Sequence, residues 1–225
     1  MYEFITHQWN PIKGRCWHDC SYCYMKKWGE QKPIRLDEKE FKTNLGSGNF
    51  IFICSGCDLF ADGVKREWII KTIKYANSFD NKYLYQTKNP FRMTNYLEFM
   101  ERKKSVICIT LETNKYYEEY MGNCPTPFKR YKAFRQIKGF KKYITIEPIM
   151  DFDLEIFADW IELCKPVQVN IGADSMRNNL PEPSYDKVLD LEEEFIKSGI
   201  KTHHKKNTKR LFKLLYEEIE KYKHL

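Results

Sequence analysis

The sequence predicts an α/β fold: a partial (β/α)6 barrel of parallel strands with a short seventh strand and a C-terminal helix. Three observations carry this. Short β-branched or aromatic runs alternate with longer segments of helical period. The alternation occurs six times before a seventh run and a last helix. The intervening segments are long enough to be crossovers, which implies parallel pairing through right-handed connections.

The runs read as strands are YEFIT (residues 2 to 6), NFIFIC (49 to 54), KYLYQT (82 to 87), SVICITLE (105 to 112), KKYITIEPI (141 to 149), VQVNIGA (167 to 173) and IKTHH (200 to 204). The helical segments are LDEKEFKTNL (36 to 45), VKREWIIKTIKYANSF (64 to 79), PFRMTNYLEFMERK (90 to 103), PFKRYKAFRQIKG (127 to 139), DLEIFADWIELC (153 to 164), SYDKVLDLEEEFIKSG (184 to 199) and TKRLFKLLYEEIEKYK (208 to 223). No repeat, low-complexity tract or Pro/Gly/Ser-rich linker divides the chain, so residues 1 to 225 are expected to form one domain.

Composition narrows the class. Apolar residues at 42% and charged residues at 31% describe a globular protein, and no apolar run approaches a membrane span. The first residues lack the basic and apolar regions of a signal peptide, so the chain is expected in the cytoplasm, away from membranes. There the eight cysteines should stay reduced, which favours metal binding or catalysis over disulfides. The net charge of +7 leans toward polyanionic partners, but much of it lies in IKTHHKKNTKRLFK, where a solvated helix face is the reading favoured over a binding patch.

In a parallel α/β fold ligands bind beyond the carboxyl ends of the strands, and polar residues gather there. They are Ser55, Gly56, Cys57 and Asp58 after the second strand, Lys88 after the third, Glu112 and Glu147 ending the fourth and fifth, and Asn170 in the sixth. After the first strand comes GRCWHDCSYCYMKKW, in which Cys16, Cys20 and Cys23 are spaced C-x3-C-x2-C. A zinc site would need a fourth ligand, and His18 stands inside the loop. An iron–sulfur cubane held by three thiolates leaves one iron free for an outside ligand.

This loop, with Tyr22 at the aromatic position of C-x3-C-x-aromatic-C, resembles the signature of the radical S-adenosylmethionine superfamily. The resemblance implies a 4Fe-4S cluster on Cys16, Cys20 and Cys23, with the free iron chelating S-adenosylmethionine. It also implies reductive cleavage to a 5′-deoxyadenosyl radical, Tyr22 beside the adenine, and an electron donor of flavodoxin or ferredoxin type. The superfamily core is a six-unit partial barrel, matching the count made from the strands.

The chain further resembles an uncharacterised phage and prokaryotic family of such proteins through Trp9-Asn10-Pro11, Asp58-Leu59-Phe60, Thr87-Lys88-Asn89-Pro90-Phe91-Arg92-Met93 and Glu147-Pro148. Its first two cysteines stand closer together than is usual in that family. The three-cysteine loop also resembles that of spore photoproduct lyase. By the superfamily pattern Ser55, Gly56 and Asp58 would hold the methionine end of the cofactor, where a carboxylate accepts from an ammonium. Lys88, Glu112, Glu147 and Asn170 would contact its carboxylate, its ribose or the substrate.

Cys57 at the barrel mouth is suited to return a hydrogen atom to a substrate radical, and a small buried residue is an equal reading of it. Cys54 and Cys57 form a second C-x2-C pair, and a second cluster would have to recruit Cys108, Cys124 or Cys164. Arg92 reads as a surface residue of its helix. A short chain with a net positive charge points to nucleic acid or a nucleotide as substrate. The alternatives are a radical enzyme acting on a peptide or small metabolite, and a zinc-binding module without enzymatic activity.

Overall fold

The computed structural model describes residues 2–211. In chain order its elements are β1 (His7–Trp9), β2 (Ile12–Lys13), β3 (Arg35–Leu36), β4 (Phe50–Ile53), α1 (Arg66–Asn77), β5 (Lys82–Thr87), α2 (Pro90–Thr94), β6 (Ser105–Thr110) and α3 (Glu118–Met121). There follow α4 (Pro127–Gln136), β7 (Lys141–Ile146), α5 (Leu154–Cys164), β8 (Gln168–Ile171), α6 (Tyr185–Lys197) and β9 (Lys201–His204). Seven strands form one parallel sheet in the order β1-β4-β5-β6-β7-β8-β9. The expected α/β architecture is thus observed. Because spatial order follows chain order, right-handed crossovers place the helices on one face. No helix among the described residues is long and apolar enough to cross a membrane.

The two faces of the sheet differ as the period of a strand requires. Tyr83, Tyr85, Ile107, Ile109, Ile144, Ile146, Val169 and Ile171 point to the helices and share a core with Ile69 and Ile73 of α1, Phe134 of α4 and Phe157 of α5. On the inner face Gln86 donates to Thr110 (2.9 Å), Asn170 to Thr145 (3.2 Å) and Gln168 to Asn170 (2.7 Å). Apolar burial drives the outer layer, and each buried polar group named on the inner face is paired.

The inner face is curved. The Phe4 ring lies 5.6 Å from that of Phe50 on β4 and 5.4 Å from that of His203 on β9. Those strands stand five places apart, which in a flat sheet would separate them by about 24 Å. One phenyl ring touches both because the sheet rolls up around it.

Several expected boundaries move. Residues 2 to 6 are not the first strand: Tyr2 and Phe4 turn inward onto Leu84, Val106 and Tyr143, and pairing starts with Thr6 N donating to Phe50 O (3.0 Å). Their aromatic alternation is that of a plug. Residues 36 to 45 form a short 3-10 turn, Glu38–Lys42, and not a helix. Leu36 is drawn into an antiparallel pair with Ile12, and the Trp9 indole takes the Glu40 carbonyl (3.1 Å). The third helical segment stops at Thr94, because Tyr96 leaves helical geometry (φ −126°) to bury its ring against Phe60. The predicted last helix lies almost wholly outside the described residues.

Candidate functional site

The cysteine loop hangs from the carboxyl end of the sheet and is held from both sides. Arg15 N donates to Lys32 O (2.8 Å), Ser21 N to Tyr120 O (2.9 Å) and Asn123 N to His18 O (2.7 Å). Gly122, with φ of +58°, turns the chain after α3 so closely under the loop that a Cβ there would stand 2.3 Å from His18 O. Only glycine combines that φ with that approach.

Each of two loop thiols faces a cysteine from another part of the chain. Cys20 Sγ lies 3.3 Å from Cys124 Sγ, and Cys57 faces Cys16. These partners lower the loop thiols, Cys16 to about 7 and Cys20 to about 6, and raise Cys57 and Cys124. Burial raises Cys23, and the neighbouring Cys20 and Cys16 raise it further, so the three thiols share one electrostatic neighbourhood. Burial drives Cys54 up to about 12 within the apolar core.

His18 is buried in the loop, its Nε2 2.9 Å from Asp58 Oδ2. Burial favours the neutral ring, but Asp58 with Cys16 and Cys20 outweighs it and raises the pKa. Asp58 Oδ2 also accepts from Thr87 Oγ1 (2.9 Å) and Lys88 N (2.7 Å), and Oδ1 from Phe60 N (2.9 Å). These contacts engage most of what a carboxylate can accept. Asp58 therefore clamps the cysteine loop to the end of β5, and it does not cap α1, whose N-cap is Lys65.

Beneath the loop a charged cluster is sunk into the protein. Glu112, fully buried, accepts from the Tyr22 hydroxyl (2.6 Å), from Lys88 Nζ, and through its other oxygen from Arg130 Nη1 (2.6 Å). Arg130 Nη1 also donates to Thr110 O (2.7 Å). Burial would raise Glu112, yet the two cations hold it well below the usual carboxylate range. Lys88 Nζ lies 4.9 Å from the centroid of the Tyr22 ring and 3.2 Å from its hydroxyl.

The other expected residues are spread around the rim. Asn10 Oδ1 accepts from Ser55 Oγ (3.1 Å) and Gly56 N (3.3 Å). Glu147 is paired with Lys205 and accepts from Asn207 Nδ2 (3.1 Å) across the sheet opening. Asn170 lies deeper, fully buried in the inner polar network. Arg92 is half-buried and not a free surface cation: its guanidinium binds the carbonyls of Ala61 and Val64. The DLF and TKNPFRM elements are therefore halves of one joint, made by Asp58 with Thr87 and by Arg92 with the turn after Phe60.

Sequence reasoning named Cys124 only as a recruit for a second cluster and missed its place beside Cys20, and it missed Arg130 and the His18–Asp58 pair. Cys124 and Arg130 lie more than 100 residues beyond the loop they reach, and nothing local marks Arg130 among the cations of FKRYKAFRQ as the buried one.

Three thiols in one neighbourhood, flanked by His18 and Lys88, fit an anionic tris-thiolate cluster. His18 Nδ1 is buried without a hydrogen-bond partner among the described residues, while Nε2 is taken by Asp58. No group of three His, Cys, Asp or Glu side chains among the described residues gathers around a single metal ion.

Fold and site together define a parallel α/β-sheet protein with a three-cysteine loop at the carboxyl edge of its sheet. Among solved structures it is similar to spore photoproduct lyase: one variant aligns with a TM-score of 0.64 at 11% identity, over 88% of this chain and 76% of that one. A second spore photoproduct lyase variant, with bound AdoMet and dinucleoside spore photoproduct, gives 0.55 at 14% identity over 84% and 61%. Methylornithine synthase gives 0.57 at 12% identity over 88% and 64%. The chain thus spans between about three-fifths and three-quarters of the length of these neighbours. No protein-family model and no curated protein matches the chain.

Proposed function

We propose that this protein is a radical S-adenosylmethionine enzyme, with Cys16, Cys20 and Cys23 holding a 4Fe-4S cluster. The observation that carries this reading is the placing of three thiols on one loop at the carboxyl edge of a rolled parallel sheet, directly above Tyr22 and Lys88. The cluster and cofactor, when bound, supply reductive cleavage of the sulfonium to a 5′-deoxyadenosyl radical.

The chain's own residues position and neutralise. Tyr22 flanks the adenine, its ring fixed by the hydrogen bond to Glu112. Lys88, anchored on Glu112, presents an ammonium toward the carboxylate end of the cofactor. Ser55 and Gly56, shaped by Asn10, offer polar backbone and hydroxyl groups to its methionine half. Asp58 and Asn170 act through their neighbours, the first by orienting His18 and Lys88, the second by bracing Thr145. Glu147 stands at the opposite rim, where it meets ribose or substrate. Cys57 is assigned the return of a hydrogen atom to the substrate.

For the substrate we infer a nucleic acid or nucleotide. The support is the net charge of +7 and the likeness to a fold that, in spore photoproduct lyase, binds dinucleoside spore photoproduct. An electron donor of flavodoxin or ferredoxin type and a cytoplasmic setting complete the reading.

The test is anaerobic reconstitution with iron and sulfide, then reduction with dithionite in the presence of S-adenosylmethionine, measuring 5′-deoxyadenosine. The wild type forms it and Cys20→Ala does not. A colourless protein carrying zinc would end the reading.

A further inference from the structure

On the outer wall of the molecule, between α2 and α4, runs a groove of about 840 Å³ that reaches the back of the cysteine loop. Its floor includes Cys124, whose sulfur is 3.3 Å from that of Cys20. Its edge is tied to the loop by Asn123, whose Nδ2 donates to Trp17 O (3.0 Å). Lys129 and Lys132 stand exposed along it, and neither has a carboxylate partner among the described residues. Phe91, 73% exposed, forms an apolar rim. The acid in the groove, Asp62, accepts from Asn89 Nδ2 (3.1 Å).

We propose that this groove docks an acidic electron-carrier protein that reduces the cluster through the Cys124–Cys20 contact. The proposal rests on the cluster reading above. Two unpaired lysines beside an exposed aromatic ring suit a negatively charged protein surface: the charges steer the encounter and the ring anchors it. The groove opens on the helix-covered side, whereas Lys88 and Glu147 follow β5 and β7 in step with the inward-facing Gln86 and Thr145. A carrier bound there leaves the inner opening free for substrate. One side chain then separates it from a cluster ligand. The step is a single electron transfer: the carrier's reduced flavin gives up one electron and the oxidised cluster gains it, with no bond made or broken.

The experiment compares reduction of the reconstituted cluster by reduced flavodoxin and by dithionite, followed by loss of visible absorbance. The proteins are the wild type, Lys129→Glu/Lys132→Glu, and a Lys74→Glu control on α1. The expected result is reduction by flavodoxin that is about tenfold slower in the double variant and weakens with salt in the wild type. Dithionite rates should match in all three proteins. Equal flavodoxin rates in the double variant and the wild type would overturn the proposal. So would loss of single-stranded oligonucleotide binding with flavodoxin rates intact, which would make the groove a nucleic-acid surface. Iron and sulfide analysis separates the two readings. A protein that never assembles a cluster fails the function itself and takes the docking proposal with it, while a competent cluster indifferent to Lys129 and Lys132 sinks only the docking site.

Discussion

Cys124 and Cys20 are 104 positions apart in the chain, and their sulfurs are 3.3 Å apart in the fold. The Cys124 thiol meets the middle cysteine of the loop from behind and lowers its pKa to about 6. This contact makes Cys124 a neighbour of the thiol set, and it poses the question of whether three or four thiols bind iron.

If three ligands hold the cluster, Cys124→Ser keeps the iron and sulfide content of the wild type after reconstitution, while Cys20→Ala loses it. Metal and sulfide assays on both variants decide this. Loss of iron in Cys124→Ser would make Cys124 a fourth ligand and remove the open coordination position.

Glu112→Gln should cost about 3 to 5 kcal/mol at neutral pH, because Arg130 and Lys88 are left buried without their counter-charge. Glu112 has a depressed pKa in the folded state. Its contribution is therefore present above the unfolded value near 4.3 and fades as the pH falls toward the folded one. Denaturant unfolding of both proteins from neutral pH into acid should show the difference shrinking only below about pH 4.3. A difference that is flat through that range would mean the carboxylate is not held charged.

Glu112 and Arg130 should be strongly non-additive. Arg130→Met alone strands the carboxylate with one cation, whereas the double variant Glu112→Gln/Arg130→Met removes both charges of the pair. A cycle of unfolding free energies should give a coupling of about 1 to 3 kcal/mol. Additive losses would show that the two side chains are independent.

Gly122→Ala forces a Cβ against the backbone oxygens of His18 and Asp19 at a positive φ. The expected cost is about 1 to 3 kcal/mol, together with a displaced cysteine loop and reduced iron content. Gly199→Ala is the control: its φ of +68° is similar, and no atom lies within 4 Å of the added methyl. Equal iron content in both variants would mean that strain alone, and not the approach to the loop, matters at Gly122.

The parallel sheet was legible because each strand from β4 to β8 carries its own run of apolar or β-branched residues, and β5 falls on the predicted bounds, residues 82 to 87. The three-cysteine loop was legible because its thiols are neighbours in sequence. What escaped was set by distance along the chain. Tyr2 and Phe4 alternate as a strand would, but the inner face buries them. Arg92 looked like one more helix cation until Ala61 and Val64 offered it carbonyls. Asp58 read as an acceptor for an ammonium, and nothing local showed that the fold would surround it with His18, Thr87 and Lys88.

The Tyr2 hydroxyl reaches Gln86 (2.8 Å) and Thr145 (2.7 Å) in the middle of the rolled sheet. The curved sheet is thereby turned into a cup with a filled floor. On the proposed reading, chemistry takes place at the lip, beside Cys16, Cys20 and Cys23. A cup does not swallow its substrate. The bond to be attacked must project from the body that carries it, and substrates are selected by how that body seats on the lip.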